Sequence, residues 1–328
     1  MQESIPTIRK TKKISSFFSF LIIPIILASQ GCGDSSSYVN VDLSKTITVE
    51  RPGSQLPKKQ YLKVAVAAMI SPKETFIHYR QFLDFLADQL GLETQLVQRK
   101  TYGEINVLFK QGEIDVGLIC SGPYATGSKR YGFEAVATPQ VRGSKFYQSY
   151  LIVNKSSPYH KLEDLRGRIF AFTDPESNTG RLVPVYWLQK KGEAADTYFK
   201  MNIYTYSHDN SILAVAKNLV DGAAIDGHIW EYYNKKNPVN TAKTRIIKKS
   251  ELFGNPPVVV SERLSPKLKE QIRRELFSMH LNPEGKKILS ELMIERFIAP
   301  KEKWYDSIRR MKQSLNIPPE KTDAHAKS

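Results

Sequence analysis

Apolar positions along the chain change period repeatedly, and each change marks a predicted element. Tyr61-Leu62-Lys63-Val64-Ala65-Val66-Ala67-Ala68-Met69 reads as a strand, and Glu74 to Leu90 as an amphipathic helix. In the helix Phe76, Tyr79, Phe82, Leu83, Leu86 and Leu90 form one stripe, stopped by Gly91. Thr94 to Gln98 is a short strand, Tyr102 to Lys110 a helix ending at Gly112, and Ile114 to Cys120 a strand with Val116, Leu118 and Cys120 alternating. Gly122 to Tyr131 follows as a helix and Ala135 to Ala137 as a strand. Strand–helix alternation at this pace implies βαβ units and a largely parallel sheet.

The pattern then starts again. Strands are expected at Ser149–Val153, Ile169–Thr173, Ile203–Tyr206, Ala223–Asp226 and Thr244–Ile247, separated by helices at Thr179–Lys190, Ser211–Leu219 and Ile229–Asn234. Val258–Val260 makes one more strand, and helices follow at Pro266–Met279, Gly285–Leu292 and Tyr305–Leu315. Two successive α/β sets joined by strand-like crossings fit two lobes with a ligand cleft between them, where the carboxyl ends of strands face the crevice. The expected layout is lobe 1 from 61–147 and 251–316, lobe 2 from 148–250, and a disordered tail from 317–328.

Length supports that division: 328 residues are enough for about two domains with ample core. Charged residues at 25% and a full set of aromatics exclude a disordered chain, while 2 Cys exclude a disulfide scaffold and a four-Cys zinc site. No cofactor or metal is expected. With 48 Lys+Arg against 33 Asp+Glu the net charge is +15, which favours an anionic partner without choosing among small anions, nucleic acid and anionic lipid.

The N-terminus narrows the choice. Arg9, Lys10, Lys12 and Lys13 precede an apolar stretch from Ser15 to Leu27, the length of a signal-peptide core rather than a membrane span. Ala28-Ser29-Gln30-Gly31-Cys32 then resembles a bacterial lipoprotein signal, in which Cys32 is diacylated and becomes the mature N-terminus. Leu27 lies farther upstream than such signals usually place their Leu, and the alternative is ordinary secretion with cleavage near Ala28 or Gly31. Residues 1–31 are read as this signal and 32–60, rich in Ser, Pro and charge, as a flexible tether from the membrane. Export makes nucleic acid an unfit partner. Removal of the signal takes away four cations and one acid, leaving a net charge of about +12. Cys120, inside an apolar strand, reads as a small buried hydrophobe.

Four strand-to-helix turns carry the chemistry: Ile70-Ser71-Pro72, Ser121-Gly122-Pro123-Tyr124, Asp174-Pro175-Glu176-Ser177-Asn178-Thr179-Gly180-Arg181 and Ser207-His208-Asp209. Small hydroxyl and amide side chains at helix starts serve as N-caps. With free backbone N–H groups and the helix dipole they also make anion sites. Ser177-Asn178-Thr179-Gly180 goes beyond capping, because three hydrogen-bonding side chains precede a Gly that lets backbone approach a ligand. It lacks the Lys of a Walker loop, so a nucleoside triphosphate is not implied. Asp226 beside a fully ionised anion would repel it, so the ligand must carry a donor, such as a proton on a phosphoryl oxygen or an ammonium on a tail. The competing role for Asp226 is a structural acid paired with a Lys or Arg. Tyr147 and Tyr150, near the hinge, can line the cleft or pack, and packing is preferred; Arg142 and Arg181 can bind an acidic ligand but are read, like the basic stretch from Lys235 to Lys249, as solvated surface.

In this order and spacing, Ser121-Gly122-Pro123-Tyr124, Leu162-Glu163-Asp164-Leu165-Arg166-Gly167, Phe172 to Pro184, Ser207-His208-Asp209 and Val220 to Asp226 resemble the phosphonate/phosphite substrate-binding proteins of ABC importers. The resemblance runs from about Tyr61 to about Leu315. It implies an α/β, two-lobed type II periplasmic-binding fold with a hinge and an inter-lobe cleft. By that resemblance Ser177, Asn178 and Thr179 grip the phosphoryl oxygens, Tyr124 supplies a wall and a hydroxyl, and His208 and Asp226 complete the cage. The family usually has Thr or Ser where Asn178 stands, and an amide can still donate. Ser71 is taken as the first-lobe contact, with Tyr102 as a weaker choice.

The function expected is capture of a small phosphorus oxyanion by a monomer that hands it to an ABC permease. The alternative output is a membrane sensor kinase or receptor that reads the closed form. An enzyme with a Ser177–His208–Asp226 triad is the third hypothesis. It lacks a nucleophile elbow, and Ser177 sits where a cap belongs.

Overall fold

The computed structural model describes residues 61–315, which lie within one unit of the chain. The expected signal peptide, the lipidated Cys32, the tether and the C-terminal tail fall outside the described residues. The chain begins with β1 (Tyr61–Val66), α1 (Pro72–Leu90), β2 (Glu93–Val97), α2 (Tyr102–Gln111), β3 (Val116–Leu118), α3 (Ser121–Tyr131), β4 (Phe133–Val141) and β5 (Phe146–Tyr147). It continues with β6 (Ser149–Asn154), β7 (Ile169–Phe172), α4 (Val183–Gln189), α5 (Ala195–Tyr198), β8 (Met201–Tyr204), α6 (His208–Ala216), β9 (Gly222–Asp226), α7 (Gly227–Lys236) and β10 (Thr244–Lys249). It closes with β11 (Phe253–Gly254), β12 (Val258–Ser261), α8 (Pro266–Ser278), α9 (Pro283–Glu291), β13 (Ile294–Ile298) and α10 (Asp306–Ser314).

These strands make two separate sheets, ordered β13-β4-β12-β3-β1-β2 and β10-β6-β9-β7-β8, so the fold is α/β and two-lobed. Neither sheet is as parallel as the strand–helix pace implies. β1 pairs in parallel with β2 and β3, and β7 with β8 and β9. The chain returning from the second sheet lays β12 antiparallel between β3 and β4, and in that second sheet β6 runs antiparallel to both β9 and β10. β13 is an edge strand that periodicity does not reveal, because Glu295 and Arg296 interrupt its apolar positions and both are exposed. The chain leaves the first sheet at Gln148 and comes back between Lys249 and Phe253. There β5 and β11 form a two-stranded ladder with Tyr147 opposite Phe253.

Local sequence explains the elements nearest the cleft. Thr101 and Glu104 form a reciprocal capping box, Glu104 N–H donating to Thr101 Oγ1 at 3.2 Å and Thr101 N–H to Glu104 Oε2 at 2.8 Å. That fixes Tyr102 at the first position of α2. The expected helix from Thr179 begins as a π-turn over Asn178–Leu182 before α4. Pro184 has no N–H to give the carbonyl of Gly180, which accepts instead from Thr173 N–H at 3.2 Å. Gly180 is needed for a different approach from the one its motif suggests. A Cβ there would lie 2.4 Å from Thr173 Oγ1, so the space serves Thr173.

Candidate functional site

The carboxyl ends of β3, β7 and β9 and the start of α2 converge between the sheets. The segments on either side are tied together directly. His208 N–H donates to the Met69 carbonyl at 2.9 Å, Ser71 N–H to Asp209 Oδ1 at 2.9 Å, Tyr102 N–H to Asp174 Oδ2 at 3.1 Å and Asn106 Nδ2 to Glu176 Oε2 at 2.6 Å. Each bond joins a first-sheet segment to a second-sheet segment, so this is the closed arrangement. Gly122 allows it, since a Cβ there would meet the Glu176 carbonyl at 2.5 Å.

At the centre lie three fully buried polar atoms without a partner: Tyr102 Oη, Asn178 Oδ1 and Thr179 Oγ1. A buried hydroxyl or amide left unpaired costs roughly 1–3 kcal/mol, so three together are a strong sign of a group that belongs among them. Tyr147 adjoins them, its hydroxyl bonded to Ser121 Oγ and, at 3.1 Å, to Asn178 Nδ2. A half-turn of the Asn178 amide would let Tyr147 donate to its oxygen and aim the NH2 at the vacant side, the orientation an anion requires. Ser177 is spent mainly as an N-cap, its Oγ accepting from Gly180 N–H at 3.0 Å.

His208 is buried and held neutral, its pKa pushed down to about 3 by loss of hydration. Its Nδ1 accepts from the backbone N–H of Asp226 at 3.0 Å, and a backbone N–H can only donate. Nε2 therefore carries the hydrogen and is the side of the ring that can donate to a ligand. Asp226 caps α7, with Oδ1 accepting from His228 N–H at 2.7 Å and Ile229 N–H at 3.3 Å. Burial lifts its carboxyl to about 7 against the pull of those two donors. No Lys or Arg among the described residues bonds to Tyr102, Asn178, Thr179, His208 or Asp226, which removes the structural ion-pair role for Asp226.

The triad hypothesis fails on this geometry. His208 Nδ1 faces a backbone donor rather than the Asp226 carboxylate, and Ser177 Oγ is turned to a cap. The arrangement binds; it has no activated nucleophile.

Two expected contacts move. Tyr124 is turned away from the cleft: its hydroxyl donates to Glu302, and its ring stands edge-on to Tyr305 with centroids 4.6 Å apart. Ser71 sits at the seam between the lobes, where its backbone N–H is held by Asp209, and its side chain makes no cap bond. Tyr102, the weaker first-lobe choice, is the one whose hydroxyl is left for a ligand. Of the two roles open to Tyr147 the structure favours cleft lining over packing, while Tyr150 packs in the second-lobe core with its hydroxyl on Glu231 at 3.1 Å. Arg142 is half exposed and pairs with Glu231 at 3.1 Å. Cys120 is buried as expected, and burial raises its thiol to about 11 even with the N–H groups of Asn178 and Gly122 directed at it.

Comparison with known proteins places the chain among its relatives. A family model for the periplasmic phosphonate substrate-binding protein of ABC transporters matches residues 64–305. The phosphonates-binding periplasmic protein of Escherichia coli (strain K12) is 25% identical over 269 residues, covering 80% of this chain and 79% of that protein. A probable ABC transporter phosphite binding protein of Prochlorococcus marinus (strain MIT 9301) is 27% identical over 250 residues, covering 73% and 84%. The crystal structure of a binding protein component of an ABC phosphonate transporter from Pseudomonas aeruginosa aligns with a TM-score of 0.74 at 25% identity, covering 77% of this chain and 86% of that one.

Proposed function

The chain belongs to the periplasmic phosphonate substrate-binding proteins of ABC transporters, and from that premise we propose that it closes on one singly protonated phosphonate or phosphite group. The observation that carries the reading is the set of orphaned buried atoms, Tyr102 Oη from one lobe and Asn178 Oδ1 and Thr179 Oγ1 from the other. Phosphoryl oxygens accept from Tyr102, Thr179, His208 Nε2–H and the Asn178 amide, and a P–OH donates to Asp226 Oδ2. Each lobe alone supplies an incomplete set, so binding and closure are the same event. The same proposal includes the lipid anchor at Cys32, supported by Gly31-Cys32 behind an apolar stretch. It also includes a monomer, because two lobes of one chain complete the cage.

Calorimetric titration and thermal shift with phosphite, methylphosphonate, phosphate and sulfate test the reading. Phosphite or methylphosphonate should raise Tm by mass action, and sulfate, which has no proton to offer Asp226, should not. Tyr102→Phe removes an orphaned hydroxyl, so it should raise the Tm of the free protein while weakening binding by about 10-fold or more. Stabilisation by amino acids or sugars alone would overturn the ligand class.

A further inference from the structure

Beside Asp226 and between the two lobes lies a cavity of about 110 Å³. Its walls are Met69, Ile119, Leu292 and Phe297 from the first lobe and Ile229 and Tyr232 from the second. Two of its polar side chains, His228 and Asn255, are already engaged. His228 Nε2 lies 3.0 Å from Asn255 Oδ1, while Asn255 Nδ2 donates to the carbonyls of Pro139 at 2.9 Å and Ser144 at 3.1 Å. Because that Nδ2 is the donor, Oδ1 accepts, and His228 carries its hydrogen on Nε2. Asp226 is the cavity's one carboxylate, and its Oδ1 already takes two N–H groups of α7.

The cavity adjoins the cage at Asp226. Asp226 belongs to both, and the Tyr147 ring, whose hydroxyl bonds Asn178, lies with its centroid 6.0 Å from that of His228. Phosphite has only a hydrogen on phosphorus and would leave this space empty. An apolar void beside a polar grip is a place for a carbon substituent.

Resting on the capture reading above, we propose that this cavity seats an uncharged alkyl tail, and that the preferred ligands are short-chain alkylphosphonates. A cavity of 150 Å³ accepts a benzene ring, so about 110 Å³ suits roughly three to four carbons. An ammonium on the tail would lose its hydration there, because the one carboxylate, Asp226, is already engaged by two N–H groups of α7 and by the P–OH of the proposed ligand.

Isothermal titration with phosphite and with methyl-, ethyl-, propyl-, butyl- and hexylphosphonate tests this, with 3-aminopropylphosphonate as the charged comparison. Each methylene up to propyl should tighten binding about 4-fold, so propyl should exceed methyl by about 15-fold, and hexyl should lose the gain. 3-Aminopropylphosphonate should bind at least about 10-fold more weakly than propylphosphonate. Leu292→Trp, which fills the cavity from its wall, should erase most of the propyl-to-methyl ratio. Equal affinity for methyl and propyl, tighter binding of the amine, or an unchanged ratio in Leu292→Trp would overturn the cavity assignment alone. Failure of every phosphonate and of phosphite to bind would overturn the capture reading as well.

Discussion

Asp226→Asn should make the ligand-free protein more stable at pH 8 and a poorer binder above pH 7. The carboxyl is 4% exposed, and burial raises it from an ordinary value of 3.8 to about 7. In the unfolded chain it ionises near 3.8, so below that pH both states are protonated and the stability it confers is fully present. Between pH 4 and pH 7 the unfolded state gives up its proton while the folded state retains it, and stability falls by about 1.4 kcal/mol per pH unit. The total loss is about 4 kcal/mol above pH 7. Asparagine is as good an N-cap, and its Oδ1 can keep the N–H groups of His228 and Ile229 at their 2.7 and 3.3 Å contacts. Scanning calorimetry from pH 4 to pH 8 should therefore show the two proteins level in acid and separating with pH. The gap should reach about 10 °C in Tm at pH 8. Above pH 7, where the carboxyl is ionised, affinity should move the other way, because an amide NH2 replaces Oδ2 where a P–OH needs an acceptor. A gap that stays constant with pH would refute the reasoning, since it would mean that the carboxylate is hydrated in the resting protein.

Two further outcomes follow from the same contacts. Tyr124→Phe should leave methylphosphonate affinity within about twofold but lower stability by about 1–3 kcal/mol, because its hydroxyl serves Glu302 rather than the cage; a tenfold loss in titration calorimetry would return Tyr124 to the site. His208 is held neutral by burial with a pKa near 3. Its folded pKa lies below its unfolded value of 6.5, so its contribution is whole above pH 6.5 and is lost as pH falls toward 3. The acid limb of a stability curve should be shallower in His208→Gln, and an unchanged slope would show the ring to be hydrated.

What the amino-acid order disclosed follows the range of the interactions. Caps are local, so Ser177 and Ser207 could be placed at helix starts from their neighbours alone, whereas the capping role of Asp226 could not. Three polar residues before Gly180, then His208 and Asp226 at strand ends, likewise mark one cleft edge. Contacts made far along the chain were not legible. Tyr124 is taken by Glu302, 178 residues on, and Ser71 by Asp209, 138 residues on; nothing near either residue predicts the diversion. Tyr147 could be read as packing or as cleft-lining, and only the fold brings its hydroxyl to Ser121 and Asn178. The return strand β12 had a visible apolar run, but its antiparallel insertion between β3 and β4 depends on where the chain re-enters the first lobe.

The chain's large positive charge invites the idea that lysine or arginine holds the anion, and the cage argues against it. The donors proposed for it are hydroxyls, an amide and a neutral imidazole. The carboxyl among them titrates near neutrality. A cationic clamp would favour the most highly charged oxyanion. Neutral donors beside an acid favour instead an anion that brings one proton, because each proton removed from the ligand adds a repulsion with Asp226 and subtracts a hydrogen bond. The protein's basic surface can raise the local concentration of any small anion without choosing among them. Selection is left to the buried groups, where shape and protonation count for more than net charge. On the proposed reading, charge draws anions to the protein, a proton decides which of them the lobes close upon, and the adjoining apolar cavity ranks those that qualify.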